Sequence, residues 1–338
     1  MNYNIDKQKW KLYRIREDRE QDVKTGKYFG NNYRIAEITW RNYQNPLTLE
    51  LLIDPAKNIS YFQEHDTELY KPQRSYNSYV KSRLFDNIKN SDWIIDIGCG
   101  KGQDLFRYAK YGIKNVLFID SDKDALVELT NRKFIFAKNK EENKMGIYIK
   151  EMDLNNNYKK NIEHIRSSGI PLPTDGVPII VCNFALHYLV SNAASINNIT
   201  QFIGNLLKSG GKFIFTAFNG KVVFDLLQEN NGRFSIWENN VLKYDIKKKY
   251  TSKTFTGTSQ LIDVLLPFSS GEYYTESLVN NNLLEKYFKK KKMNIELHDS
   301  FEKYYEDFKK DNRKVYDQLT ENDKEYIKLY YFSSYYKK

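Results

Sequence analysis

Residues able to do chemistry gather first in Asp96-Ile97-Gly98-Cys99-Gly100-Lys101-Gly102. Alternating glycines after an apolar run let a ligand approach backbone N–H groups between a strand and the N-terminus of a helix. Alone, such a turn is ambiguous, because dinucleotide-binding enzymes use a similar device. The acids around it say more: Asp96 precedes Gly98 by two residues, Asp120 ends the next apolar run, and Asp153 follows a third. A carboxylate at Asp120 can accept hydrogen bonds from both hydroxyls of a ribose, and Asp153 stands where an adenine amino group could be bound. Each acid taken singly is equally a turn residue or a helix cap, so the weight rests on the ordered set. A second stretch is Cys182-Asn183-Phe184-Ala185-Leu186-His187-Tyr188. A histidine in apolar surroundings is more often a satisfied core residue than a functional one. Asn183 and Tyr188 beside it, at a ligand-facing strand end, favour the functional reading.

These residues need strand ends to hold them. The apolar runs 93–97, 116–120, 147–149, 177–183 and 212–217 read as strands, the third running on to Asp153 and the fifth following Gly210-Gly211. Helical spacing covers residues 77–88, 104–111, 124–136 and 196–208. Strands alternating with helices imply an α/β fold with a doubly wound, mainly parallel sheet, whose ligand sits at the carboxyl ends of the strands. Beyond Phe218 the regularity weakens and Lys247-Lys248-Lys249 and residues 289–292 read as charged insertions. Residues 278–288 look helical, and residues 330–336 look like a last strand completing the sheet edge. The first 60 residues differ in pattern, with a basic-aromatic run at 10–19 and a stretch broken by Pro46 and Pro55. They read as an N-terminal extension, 1–60, ahead of the main domain, 61–338.

A length of 338 residues allows a sizeable core. The 53 Lys and Arg against 43 Asp and Glu give a net charge of +10, which suits an anionic partner such as nucleic acid or simply keeps the surface soluble. The high Tyr and Phe content is the bias an AT-rich genome gives. Cys99 and Cys182 are too few and too far apart for a disulfide framework or a zinc site, so no metal is expected. No apolar run approaches a membrane span and the first ten residues are polar. A cytoplasmic, reducing location is the expectation.

The D-x-G-x-G-x-G arrangement with later strand-end acids resembles the class I, Rossmann-like, S-adenosylmethionine-dependent methyltransferase fold, with a nicotinamide enzyme as the alternative. Asn77-Ser78-Tyr79-Val80-Lys81-Ser82 resembles the N-N-W-x-K-S stretch of messenger-RNA cap guanine-N7 methyltransferases, and residues 98–105 resemble their G-C-G-K-G-x-D-L loop. Phe184-Ala185-Leu186-His187-Tyr188 is similar to their F-A-x-H-Y segment, Thr275-Glu276 to the poxvirus T-E-Y motif, and Leu329-Tyr330-Tyr331-Phe332 to their last strand. The resemblance covers about residues 70–338. Residues 10–16 and 30–33 resemble the end of the guanylyltransferase oligonucleotide-binding fold in large DNA virus capping enzymes of the poxvirus and African swine fever virus type. The extension is then a remnant or linker of that fold.

The resemblance implies S-adenosylmethionine as cofactor, held by Lys81, Asp96, Gly98, Gly100, Asp104, Asp120, Asp153, Asn183 and Tyr188. Asn183 departs from the family, which usually has Gln there. Asn77, Ser78, Lys101, Arg107, Arg132, His187, Glu276 and Tyr330 are implied to take the capped 5′ end of mRNA. Lys101, Arg107 and Arg132 would neutralise the triphosphate, with a solvated helix face as the less favoured alternative. Glu276 would accept from guanine N1 and N2, and Tyr330 would pack by the base. His187, Tyr188 and Glu276 are expected to position groups rather than transfer protons, since guanine N7 has a lone pair and no proton. Implied partners are guanylyltransferase and triphosphatase domains of the same polypeptide and an accessory subunit. The rival functions are methylation of another RNA or small-molecule acceptor, and a catalytically silent RNA-binding subunit. That silent subunit would have lost the glycines or acids, and all are present.

Overall fold

The computed structural model describes residues 2–4, 9–11, 24, 68–138, 145–238, 240–265 and 272–338. The chain divides into two units, Met1–Ile59 and Ser60–Lys338. In the first, β1 (Asn2–Asn4) pairs antiparallel with β2 (Lys9–Lys11). The rest of the expected 10–19 strand and the oligonucleotide-binding-fold segment lie outside the described residues.

The second unit is built on a seven-stranded sheet. Its strands are β3 (Ile94–Ile97), β4 (Asn115–Asp120), β5 (Gly146–Glu151), β6 (Val177–Asn183), β7 (Leu207–Phe218), β12 (Met293–Ser300) and β13 (Tyr330–Lys337). Their order is β12-β13-β7-β6-β3-β4-β5. The β3–β4, β3–β6, β4–β5 and β6–β7 pairs are parallel, and β13 is antiparallel to both neighbours. This is the class I methyltransferase architecture. The chain reverses direction across the sheet between β3 and β6, so the crevice for a ligand opens at their carboxyl ends.

Parallel strands buried on both faces need apolar residues throughout, and Ile94–Ile97 is buried at every position. Ile94, Val116, Phe118 and Val181 pack against α1 (Lys71–Phe85), α2 (Leu105–Lys110) and α3 (Lys123–Lys138). Ile95, Leu117, Ile180 and Phe213 face α4 (Tyr158–Arg166), α5 (Ala193–Leu206) and, further on, α7 (Asn281–Lys289).

Several boundaries differ from expectation. The helix expected to reach Lys208 ends at Leu206, and β7 begins at once, with Gly210 at φ +76° as the ladder with β6 slips by a bulge. Gly210-Gly211 is therefore inside the strand rather than before it. The region past Phe218 is regular: α6 (Gly220–Glu229) precedes a four-stranded antiparallel sheet of β8 (Arg233–Glu238), β9 (Val241–Lys248), β10 (Leu261–Leu265) and β11 (Tyr273–Ser277). Lys247-Lys248 ends a strand and is no insertion; Lys247 and Lys249 pair there with Asp245 and Asp263. Finally, β13 is not the sheet edge. It is buried between β7 and β12, and β12 takes the edge.

Candidate active site

The glycine loop leaves β3 and folds back onto the end of β4. Gly98 and Cys99 N–H donate to the Ile119 carbonyl at 2.8 and 3.2 Å, and Gly100 N–H donates to Asp120 Oδ2 at 2.6 Å. Asp120 Oδ1 accepts from Asp122 N–H at 2.9 Å, so both carboxylate oxygens are oriented by backbone. Burial raises the Asp120 pKa, while these N–H groups oppose the shift. Gly98 has φ +64°, and a Cβ there would stand 2.3 Å from Ala185 Cβ, so the loop can lie against the end of β6 only as glycine. Asp96 sits beneath, buried, accepting from Tyr108 Oη at 3.0 Å. Burial pushes its carboxyl up to about 7.

Asp104, just before α2, is a hub. It accepts from Lys81 Nζ at 2.9 and 3.0 Å, from Asn183 Nδ2 at 3.1 Å and from Arg107. Burial lowers the Lys81 ammonium pKa, with the Arg107 guanidinium adding to it. The bidentate carboxylate opposite favours the charged form. Asn183, the departure from the family, has reach enough: its Oδ1 also accepts from Thr216 Oγ1 at 3.3 Å. The Arg107 guanidinium donates to Ser78 Oγ at 2.5 Å and Ser82 Oγ at 3.2 Å as well as to Asp104, so it ties α1 to α2. Ser78 is likewise engaged as an acceptor.

On the other side of the crevice the residues come from distant parts of the chain. Phe184, at φ +55°, turns the chain after β6, and its N–H donates to Thr216 O and Oγ1 at 3.0 and 3.1 Å. That left-handed residue is costly for a non-glycine, and it delivers the short 3-10 turn Leu186–Tyr188. The His187 and Tyr188 rings lie 4.0 Å apart. His187 Nε2 is buried without a hydrogen bond, 3.5 Å from Oε1 of Glu276 on β11, which is 3% exposed. Burial alone pushes His187 down to about 3 and Glu276 up to about 8, so near neutrality the pair is uncharged. Tyr330, first residue of β13, stacks on Phe218 at 4.2 Å and meets the Phe184 edge at 5.3 Å. Asn77 Oδ1, on α1, is a further buried oxygen with no hydrogen bond.

The remaining three expected residues have other settings. Asp153 is exposed, its Oδ1 accepting from Asn155 N–H at 2.8 Å, a turn-capping role. Arg132 lies on α3, 3.8 Å from Glu128, and its Nε is buried without a hydrogen bond. Lys101 is half-buried in the glycine loop. Sequence reasoning passed over Phe184 and Thr216, although Phe184 opens the F-A-x-H-Y segment.

The mRNA (guanine-N(7))-methyltransferase domain family matches residues 57–334. The chain belongs to this family. It is 37% identical to the "mRNA-capping enzyme" of African swine fever virus (strain Badajoz 1971 Vero-adapted) over 329 residues, 96% of this chain and 38% of that protein. The chain thus spans under two fifths of the length of that curated relative. The "mRNA cap guanine-N(7) methyltransferase" of Caenorhabditis elegans is 27% identical over 172 residues, 48% of this chain and 43% of that one. A crystal structure of a S-adenosylmethionine-dependent methyltransferase from Clostridium acetobutylicum overlays with a TM-score of 0.47 at 16% identity, over 80% of this chain and 93% of the other.

Proposed function

We propose that this chain methylates N7 of the terminal guanosine of a GpppN cap, with S-adenosylmethionine as donor. One observation carries the reading: Gly98 of the glycine loop packs on Ala185, and two residues further along the same turn His187 lies against buried Glu276. The residues present suit the cofactor, because the glycine loop brings backbone beside the Asp120 carboxylate and the donor set combines carboxylates with a lysine and an amide. When bound, S-adenosylmethionine supplies a methyl group made electrophilic by the sulfonium. Asp120 accepts from the ribose hydroxyls, Asp153 serves the adenine, and Gly98 and Gly100 bring backbone close. Asp96 supports the loop from below. Lys81, Asp104 and Asn183 hold the amino-acid end, and Tyr188 closes the wall.

On the acceptor side, Glu276 as carboxylate accepts from guanine N1–H and N2–H, the neutral His187 orients it, and Asn77 Oδ1 offers a further acceptor. Tyr330 and Phe184 pack by the base, Lys101 and Arg132 neutralise the triphosphate, and Arg107 with Ser78 positions α1. Guanine N7 presents a lone pair and carries no proton, so no side chain has to act as base. Holding the reactants in line contributes ~7 kcal/mol or more to lowering the barrier. The capped 5′ end of mRNA is the RNA partner. Guanylyltransferase and triphosphatase domains of a longer polypeptide are the proposed neighbours, supported by the share of the capping enzyme that the chain spans; an accessory subunit is a further candidate. Two unpaired cysteines suit a cytosolic site of action, and no described helix is long and apolar enough to cross a membrane.

The test is transfer of labelled methyl to GpppA and to m7GpppA. Label on GpppA alone is expected; equal labelling of both would overturn the assignment to N7.

A further inference from the structure

Behind the acceptor side lies a buried ionic cluster that the proposed chemistry does not use. In the β8–β9 hairpin, Ile236 pairs with Tyr244 and Trp237 with Leu242, leaving Lys243 as the extra residue of a β-bulge. A bulge breaks the alternation of side chains and re-aims one of them. Consecutive residues that a regular strand would send to opposite faces here reach the same atom: Lys243 Nζ lies 2.8 Å and Tyr244 Oη 2.7 Å from Asp323 Oδ1. Lys243 also donates to both oxygens of Glu238, at 3.2 and 3.1 Å, and Glu238 accepts from Thr320 Oγ1 at 3.2 Å. Thr320 and Asp323 form the capping box of α10 (Glu321–Ile327). Lys243 and Asp323 are each 1% exposed at the side chain.

From this cluster an aromatic ladder runs toward the acceptor site. The Tyr244 ring lies flat on Tyr326 of α10, centroids 3.9 Å apart at 10°. Tyr326 meets Tyr330 edge-on at 5.7 Å and Phe218 at 5.8 Å. Tyr330 in turn meets Phe184. Burial keeps the Tyr326 and Tyr330 phenols un-ionised, and the Glu276 carboxyl is near enough to add to that in both.

We infer that Lys243, Asp323 and Tyr244 are positioning residues for the cap: the bulged ion pair fixes α10 and the Tyr244–Tyr326–Tyr330 ladder, and so sets where Tyr330 meets the guanine. This rests on the assignment of Tyr330 and Glu276 to the cap. A buried ion pair is weak as a source of stability and better suited to fixing one arrangement. The ring contacts of the ladder run to Tyr70, Phe218, Phe184 and Phe301, none of them assigned to the cofactor, so its loss is expected to act on one substrate only.

The experiment measures KM for GpppG-RNA, kcat and S-adenosylmethionine Kd for the whole chain carrying Tyr244→Phe, Lys243→Met, Trp237→Ala or Tyr330→Ala. Tyr244→Phe keeps the ring and removes only the bond to Asp323, so it serves even where Lys243→Met fails to fold. Its cap KM is expected to rise about fivefold, the worth of one buried hydrogen bond, with kcat and cofactor Kd unchanged. Lys243→Met, where it folds, raises it further. Trp237→Ala, on the same hairpin but 60% exposed, leaves all three constants as they were. An unchanged cap KM in Tyr244→Phe, or a cofactor Kd that weakens in step, overturns the inference. If Tyr330→Ala itself leaves cap KM unchanged, the cap assignment falls and the inference with it.

Discussion

The two halves of the crevice are built in opposite ways. The half proposed for the cofactor is charged and mostly local: residues 96–120 supply the loop, Asp96, Asp104 and Asp120, Lys81 and Arg107 neutralise the hub at Asp104, and Asp153, Asn183 and Tyr188 join from further along the chain. The half proposed for the acceptor gathers Asn77, Phe184, His187, Glu276 and Tyr330 from positions up to 253 apart, and burial favours the uncharged forms of its His187–Glu276 pair. A sulfonium-bearing nucleoside calls for fixed acceptors and close backbone. A flat, hydrogen-bonding base calls for aromatic walls and one carboxyl that ionises on demand.

Substitutions on the two sides should therefore separate. The largest effect is expected from Gly98→Val, where φ +64° and a 2.3 Å contact with Ala185 Cβ force the loop off β6. Strain of about 1–3 kcal/mol plus the clash should abolish cofactor binding in calorimetry and lower Tm; retained binding would break the loop assignment. Asp120→Ala should weaken S-adenosylmethionine by about 100-fold, the equivalent of one or two charged hydrogen bonds, while a protein that still binds and turns over would remove the ribose role. Glu276→Ala should raise cap KM about tenfold and spare cofactor Kd, a split that sharpens the comparison. Asn183→Gln should change cofactor Kd no more than about threefold, because both amides can reach Asp104; a larger loss would mean that the shorter side chain is a specific fit.

The pH dependence tests the uncharged pair. With a folded pKa of about 8, Glu276 is protonated at neutral pH and must ionise to accept from guanine, so cap KM should fall as pH rises through about 8. The Glu276→Gln protein should lose that dependence. The linked effect on stability has the opposite sign. Between the ordinary carboxylate pKa and about 8 the folded protein binds the extra proton, so Glu276 makes the empty protein less stable as pH rises through that window. His187, lowered to about 3, binds its proton only when unfolded above that value, and stability from it grows with pH up to its ordinary pKa near 6.5. Thermal melts of wild type and Glu276→Gln from pH 5 to 8 should diverge, the wild type losing ground; parallel curves would mean that Glu276 has an ordinary pKa.

The same contrast governs how much was legible in the sequence. From β3 to β6 the elements follow from local apolar runs and glycines, and the positions of Gly98, Gly100, Asp120 and His187 follow with them. The region that brings in Glu276 lay hidden, because β9 carries Lys243, Lys247 and Lys248 among its apolar residues and its bulge at Lys243 removes the two-residue period. Tyr-rich β13 reads as an edge strand by composition, yet non-local pairing with β12 buries it. The tie of Arg107 to α1 was not legible either, because only the fold brings Ser78 and Ser82 to its guanidinium. Glu276 and Tyr330 enter only through motif resemblance, since nothing local marks a buried glutamate on a strand as functional.

The most direct test is the identity of the methylated nucleotide. GpppG-RNA labelled with S-adenosylmethionine carrying a radioactive methyl would be digested with phosphodiesterase and the products separated by chromatography. All label should migrate as 7-methylguanosine monophosphate, and it should vanish in Asp120→Ala. Label in a ribose 2′-O-methyl or in an internal base would contradict the assignment of this crevice to the cap guanine.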